Sequence, residues 1–143
     1  MTVLTFQKVL TANDTGETDG HQAGVHIPKS QIELIGMLPV LDAKLKNPDC
    51  WLKCVDSDGT EWKFRYVYYN NKLHEERGTR NEYRITHMTK FFRASGATSG
   101  DILQISGEEK KGELSLSIQP QKSEVSQVTD PNRISLRGWR KVS

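Results

Sequence analysis

At 143 residues the chain is long enough for one domain with a real core. Twenty Lys/Arg against eighteen Asp/Glu leave a net charge of only +2, which excludes a globally basic nucleic-acid binder; any such footprint has to be local. Two cysteines, Cys50 and Cys54, with no secretory signal before them and no apolar run of transmembrane length, argue against a disulfide scaffold or a helical membrane span and for a reducing compartment.

Val3 to Leu10 reads as a first strand, with Val3, Thr5, Gln7 and Val9 on one face. The segment from Ala12 to Gly24 then holds three glycines and almost nothing apolar, so it is either a disordered tip or a functional arm. Its Asn13, His21 and Gln22 supply donors and acceptors for a duplex, and Gly16, Gly20 and Gly24 permit close backbone approach. Asp14 is awkward near phosphate and useful only as an acceptor from a cytosine amine or in orienting a neighbouring base. His21 and His26 with Asp14 and Asp19 fit no helical metal-ligand spacing, so no metal is assigned there. Val25-His26-Ile27 returns as strand and Pro28 ends it.

Ser30-Gln31-Ile32-Glu33 has the form of a capping box, and Gly36 and Pro39 are expected to close the short helix it opens. Ile32, Leu34, Ile35 and Leu38 supply its buried side, and Val40 to Asp49 connects onward with some strand. Trp51 to Tyr69 is the clearest hairpin, turning at Asp56-Ser57-Asp58-Gly59. A two-residue loop would set Lys53 opposite Trp62. A three-residue loop with Gly59 left-handed sets Cys54 opposite Trp62, Leu52 opposite Phe64 and Cys50 opposite Tyr66. Only the second gives one apolar face, and it is the register predicted, with Trp62, Phe64, Tyr66 and Tyr68 as an aromatic spine. Both thiols are then expected to be buried on one face, about 13 Å apart and unable to bridge.

Lys72 to Arg93 carries six Lys/Arg against three Glu, more than the whole chain's excess. Within it, Arg77-Gly78-Thr79-Arg80-Asn81-Glu82-Tyr83-Arg84 concentrates groups that match base edges: arginine for guanine, Asn for adenine, Glu for the cytosine amine. A solvated loop whose charges pair with one another is the plainer reading of this stretch taken alone. Thr86 to Gly96 is predicted as a second short helix, capped by Thr86 and stopped by Gly96. Strands follow over Ile102–Ser106 and Glu113–Gln119. From Pro120 the chain turns polar, and Arg133 to Val142 is basic around Trp139, a final strand or the start of a connection. The total is about seven short strands and two short helices, a mainly β, barrel-like domain over residues 1–119 with a tail over 120–143.

Pro48-Asp49 with Glu61-Trp62-Lys63 matches a loose metal-nuclease pattern. The predicted hairpin sets Glu61 opposite Val55 and Asp49 opposite Val67, about 20 Å apart, too far to share a metal ion. No G-x-S-x-G, P-loop or Rossmann glycine pattern occurs, so no catalytic residue is assigned.

Two separated motifs carry a resemblance. Leu10-Thr11-Ala12-Asn13-Asp14-Thr15-Gly16 with Gly20-His21-Gln22-Ala23-Gly24-Val25-His26-Ile27-Pro28, and Tyr68-Tyr69-Asn70-Asn71 with Gly78 to Thr86, resemble the N-terminal effector domain of EcoRII-type restriction endonucleases. Phe91-Phe92 to Gly100-Asp101-Ile102-Leu103 also looks like the plant B-three transcription-factor domain, which shares that fold. The resemblance implies a seven-stranded open pseudobarrel with two short helices, gripping the major groove of double-stranded DNA with two arms. Carried over by position, Lys8, Asn13, Asp14, Thr15, Gly16, His21, Gln22 and His26 belong to the first arm. Arg77, Arg80, Asn81, Glu82, Tyr83 and Arg84 belong to the second. The family has lysine at the positions of Tyr83 and Gly78, and tyrosine at that of His26. It further implies a CC(A/T)GG-like target, a catalytic nuclease domain in the same polypeptide, a bacterial cytoplasmic setting and no membrane partner. No cofactor is expected for this domain, Mg²⁺ belonging only to a separate catalytic domain.

Overall fold

The computed structural model describes residues 3–16, 23–108, 110–120 and 138–142. Its strands are β1 (Val3–Val9), β2 (Val25–Ile27), β3 (Asp49–Val55), β4 (Glu61–Tyr69), β5 (Glu82–Thr86), β6 (Ile102–Glu108), β7 (Glu113–Gln119) and β8 (Trp139–Lys141). Four short helices interrupt them: α1 (Ala12–Thr15), α2 (Ile32–Met37), α3 (Asn71–His74) and α4 (Thr89–Ser95). All eight strands form one sheet in the order β2-β5-β4-β3-β7-β6-β1-β8, antiparallel except where β3 runs parallel to β7. One strand more than expected is present, because Trp139–Lys141 pairs with Phe6–Lys8 of β1.

The sheet curls so that its two margins meet. The Trp139 indole nitrogen, on β8, donates to the carbonyl of His26, on β2, at 2.9 Å, and the Gln31 amide donates to the Trp139 carbonyl at 3.1 Å. Trp139 is buried in the same cluster as Phe6, Leu52, Phe64, Tyr66 and Leu103. Leu34 and Met37 of α2, and Phe91 and Phe92 of α4, enter that core. Phe91 meets Trp62 and Phe64 with ring centroids 5.6 and 5.7 Å apart.

The β3–β4 hairpin has the predicted register, with Cys54 opposite Trp62, Leu52 opposite Phe64 and Cys50 opposite Tyr66. Gly59 takes φ +83°, the left-handed value that turn requires. Phe64, Tyr66 and Tyr68 are buried, whereas Trp62 is only half-buried, its indole donating to Asp56 in the turn. Cys54 is buried and burial pushes its thiol up to about 12; Cys50 is half-buried rather than buried.

Local signals failed where another element claimed the side chain. The expected capping box does not form, for α2 starts at Ile32 with Gln31 as an unassisted cap. Gln31 reaches β8 instead, and Glu33 pairs with Lys141 at 2.6 Å. Gly36 lies inside α2, and Leu38 caps it. Ile32 is 77% exposed because two residues at 100° each set it on the far side of the helix from Leu34. Val40 to Pro48 forms turns and bends, and the strand begins at Asp49. Thr86 closes β5, opposite Arg65, instead of capping α4. Gly96 ends α4 in the left-handed conformation, as expected. Helices α1 and α3 were not anticipated.

Candidate nucleic-acid interface

The first arm grows from a braced root. Thr11 and Asp14 cap α1 reciprocally: the Asp14 amide donates to the Thr11 hydroxyl at 3.1 Å, and the Thr11 amide donates to the Asp14 carboxylate at 3.0 Å. The same carboxylate holds the Lys8 ammonium in a buried ion pair. Thr15 bonds back to the helix carbonyls, and Gly16, at φ +82°, turns the chain out of α1. The arm returns at Gly24, whose amide donates to the Asp14 carbonyl at 3.0 Å. A Cβ on Gly24 would lie 2.3 Å from the Ile85 carbonyl oxygen, so this glycine lets the arm press on β5 of its own barrel. His21 and Gln22 lie outside the described residues.

The second arm, between β4 and β5, is braced from below by asparagines. Asn70 is fully buried; its carboxamide donates to the carbonyls of Leu45 (2.9 Å) and Ala43 (3.3 Å) and accepts from the Asn47 amide at 2.7 Å. Asn47 accepts in turn from the Asn70 amide at 3.0 Å. The loop after α3 folds back onto it: the Arg80 amide donates to the Asn71 side chain, and the Lys72 amide to the Arg80 carbonyl. Gly78 allows this, since a Cβ there would fall 2.2 Å from the Asn71 carbonyl oxygen.

Strand alternation sorts the residues of β5 onto two faces. Glu82, Arg84 and Thr86 share one face with their cross-strand partners Tyr69, Val67 and Arg65, of which Val67 is fully buried, and His26 lies opposite Arg84. Tyr83 points the other way and stacks on Tyr68 at 4.3 Å with a 6° interplanar angle. The Tyr68 hydroxyl donates to the Asn81 carboxamide at 2.5 Å, so that oxygen is engaged within the protein. Arg77 is exposed on the turn after α3.

Outside the sheet, Asn13, Arg65, Tyr69, Arg80, Arg84, Thr86 and His87 line one cleft of about 350 Å³. The first arm's Asn13 thus faces the second arm's Arg80 and Arg84. The Arg80 guanidinium lies over the Tyr69 ring, 3.9 Å from its centroid. Glu82 holds both arginines, Arg84 at 2.9 Å and Arg80 at 3.4 Å. Partial burial pushes the Glu82 carboxyl up, but the hydrogen bond and charge of Arg84, then Arg80, outweigh it, so it ionises below the ordinary carboxylate range. His26 is shifted down, first by lost hydration and then by Arg84 and Lys8, against the opposing pull of Glu82 and Asp14. One imidazole therefore senses both arm roots.

Of the predicted residues, the cleft gathers Asn13, Arg80 and Arg84, with Glu82 bracing and His26 beside Arg84. Lys8, Asp14 and Thr15 sit in the first arm's root. Arg65, Tyr69, Thr86 and His87 were missed, although the hairpin register with period-two alternation sets Arg65 and Tyr69 outward together. Asp49 is held by Arg65 at 2.6 Å and Glu61 faces Lys53 at 3.5 Å, at opposite ends of the hairpin. Among the described residues, no group of three His, Cys, Asp or Glu side chains converges on a metal position.

A family model described as the restriction endonuclease EcoRII N-terminal domain matches residues 1–119. The type II restriction enzyme EcoRII of Escherichia coli is 35% identical over 110 residues, covering 71% of this chain and 24% of that enzyme. Auxin response factor 2 of Oryza sativa subsp. japonica is 34% identical over 114 residues, covering 79% of this chain and 14% of that factor. The chain therefore spans less than a quarter of the length of these relatives. Among solved structures, the Arabidopsis FUS3-DNA complex superposes with a TM-score of 0.60 at 22% identity, covering 83% of this chain and 99% of that one.

Proposed function

The chain belongs to the family of the EcoRII restriction endonuclease N-terminal domain, and from that membership we propose that it is a sequence-specific binding domain for double-stranded DNA. In this reading it serves as the effector or targeting module of a type II, IIE-like restriction endonuclease. It recognises a short CC(A/T)GG-like site through the major groove, and a nuclease domain of the same polypeptide performs the cleavage. The observation that carries the reading is the cleft in which Asn13 meets Arg80 and Arg84. Arg80 and Arg84 supply forks suited to guanine edges, pre-oriented by Glu82 and the Tyr69 ring, and Asn13 suits adenine. Lys8 and Asp14 act by fixing the root of the first arm. Binding to a duplex bearing the site selected from a random pool should exceed binding to a scrambled duplex by at least ~10³. Arg80→Ala and Arg84→Ala should each cost about 1–3 kcal/mol and relax one position of the site. Equal affinity for matched and scrambled duplexes would overturn the proposal.

A second reading, a transcription regulator of the same fold, is favoured by one observation: auxin response factors match 79% of the chain at 34% identity. The complete gene separates the two, an attached nuclease domain supporting the first and its absence the second.

A further inference from the structure

The outward face of β3 continues the cleft beyond the residues so far assigned. Trp51 is 57% exposed there, an unusual position for so large an aromatic, and it lies directly opposite Arg65, a cleft residue. His87, also lining the cleft, holds its ring edge-on to the Trp51 indole, with centroids 5.2 Å apart. It does so from φ +68°, a left-handed backbone that a non-glycine residue adopts at a cost. Two residues along the strands, Lys53 and Lys63 stand opposite each other on the same face, an arrangement of like charges that is unfavourable in the isolated sheet. Glu61 answers Lys53; Lys63 has no ion pair among the described residues. Trp51, Lys53 and Lys63, with the backbone of Leu52, line an open and mainly apolar hollow of about 500 Å³.

We propose that Trp51, Lys53 and Lys63 form a sequence-neutral extension of the interface that takes the sugar–phosphate backbone of the duplex flanking the recognised site. This rests on the DNA-binding reading above. Continuity with the cleft through Arg65 and His87, together with the positive charge of Lys63 beside an apolar indole surface, selects a sugar–phosphate occupant. The step from Trp51 to the lysine pair is about 7 Å, on the order of two base steps along one strand. The indole packs on deoxyribose while the ammonium groups meet successive phosphates. No base edge is contacted, so the extension adds affinity and salt dependence without altering the sequence read.

The test measures binding of the selected site in two duplexes, one with two flanking base pairs on each side and one with ten. Wild type should bind the longer duplex roughly tenfold more tightly. Trp51→Ala and Lys63→Gln, both at exposed positions, should keep the wild-type melting temperature and the affinity for the short duplex but lose the preference for the long one. Lys63→Gln should also reduce the salt slope on the long duplex by about one. Equal binding of both duplexes by wild type overturns the extension alone. So does a flank preference that survives in both variants. Failure of wild type to distinguish matched from scrambled DNA overturns the parent reading, and this one with it.

Discussion

Lys8 carries a full charge on the strand that feeds the first arm, yet its side chain is only 8% exposed, against the carboxylate of Asp14. A carboxylate so close to an expected phosphate track looked out of place in sequence; the lysine beneath it supplies the reason. Removing either partner would leave the other as an uncompensated buried charge, a larger loss than the intact pair contributes. His26 is the counterpart on the surface. Its downward shift keeps it neutral in the free protein at pH 7, and it destabilises the fold progressively as the pH falls below about 6.5, where the unfolded chain takes up the proton first. Phosphates arriving beside it favour the imidazolium. Binding should therefore take up a proton and strengthen as the pH is lowered from about 8 to 6. Titration of affinity against pH checks this, with His26→Gln expected to flatten the profile.

At the scale of elements, the second arm is a small folded unit whose shape depends on close backbone approach. Gly78→Ala would force the loop off the Asn71 carbonyl, displacing Arg80 from the Tyr69 ring while leaving the barrel core untouched. The expected outcome is a loss of DNA affinity of tenfold or more with a stability change within about 1 kcal/mol, read by a binding isotherm and a thermal melt. The hairpin register was legible in sequence because one glycine and one alternating apolar face agree on it. The caps of α2 and α4 were not, since Gln31 and Glu33 are drawn to β8 and Thr86 is drawn into β5, partners remote in sequence. Asn13, Arg80 and Arg84, which line the cleft, lie in segments that stand out in sequence as polar clusters. The bracing of the second arm by Asn70, Asn47 and Asn71 was not legible, because a carboxamide directed at backbone carbonyls has no periodic signature.

For the whole molecule, the strand order assigns different work to the two ends of the described chain. Trp139 lies far from the family motifs in sequence, yet it fills the core and joins the margins of the sheet. Trp139→Ala should cost about 3–5 kcal/mol through the void it leaves, and denaturant unfolding would show this as a lower midpoint. A stability equal to wild type would mean that β8 adds nothing to the barrel.

The first arm leaves β1 and enters β2, strands near opposite margins of the sheet, so it straddles the seam where the barrel closes. Among the described residues, that seam is stitched by side chains instead of a ladder of main-chain hydrogen bonds. A small parting of the seam would shift the Asn13 side of the cleft relative to β5, which carries Arg84, and to the loop before it, which carries Arg80. The amide protons of β2 and β8 should accordingly exchange with deuterated solvent ahead of those in β3 and β4, and slow down once a cognate duplex is clasped.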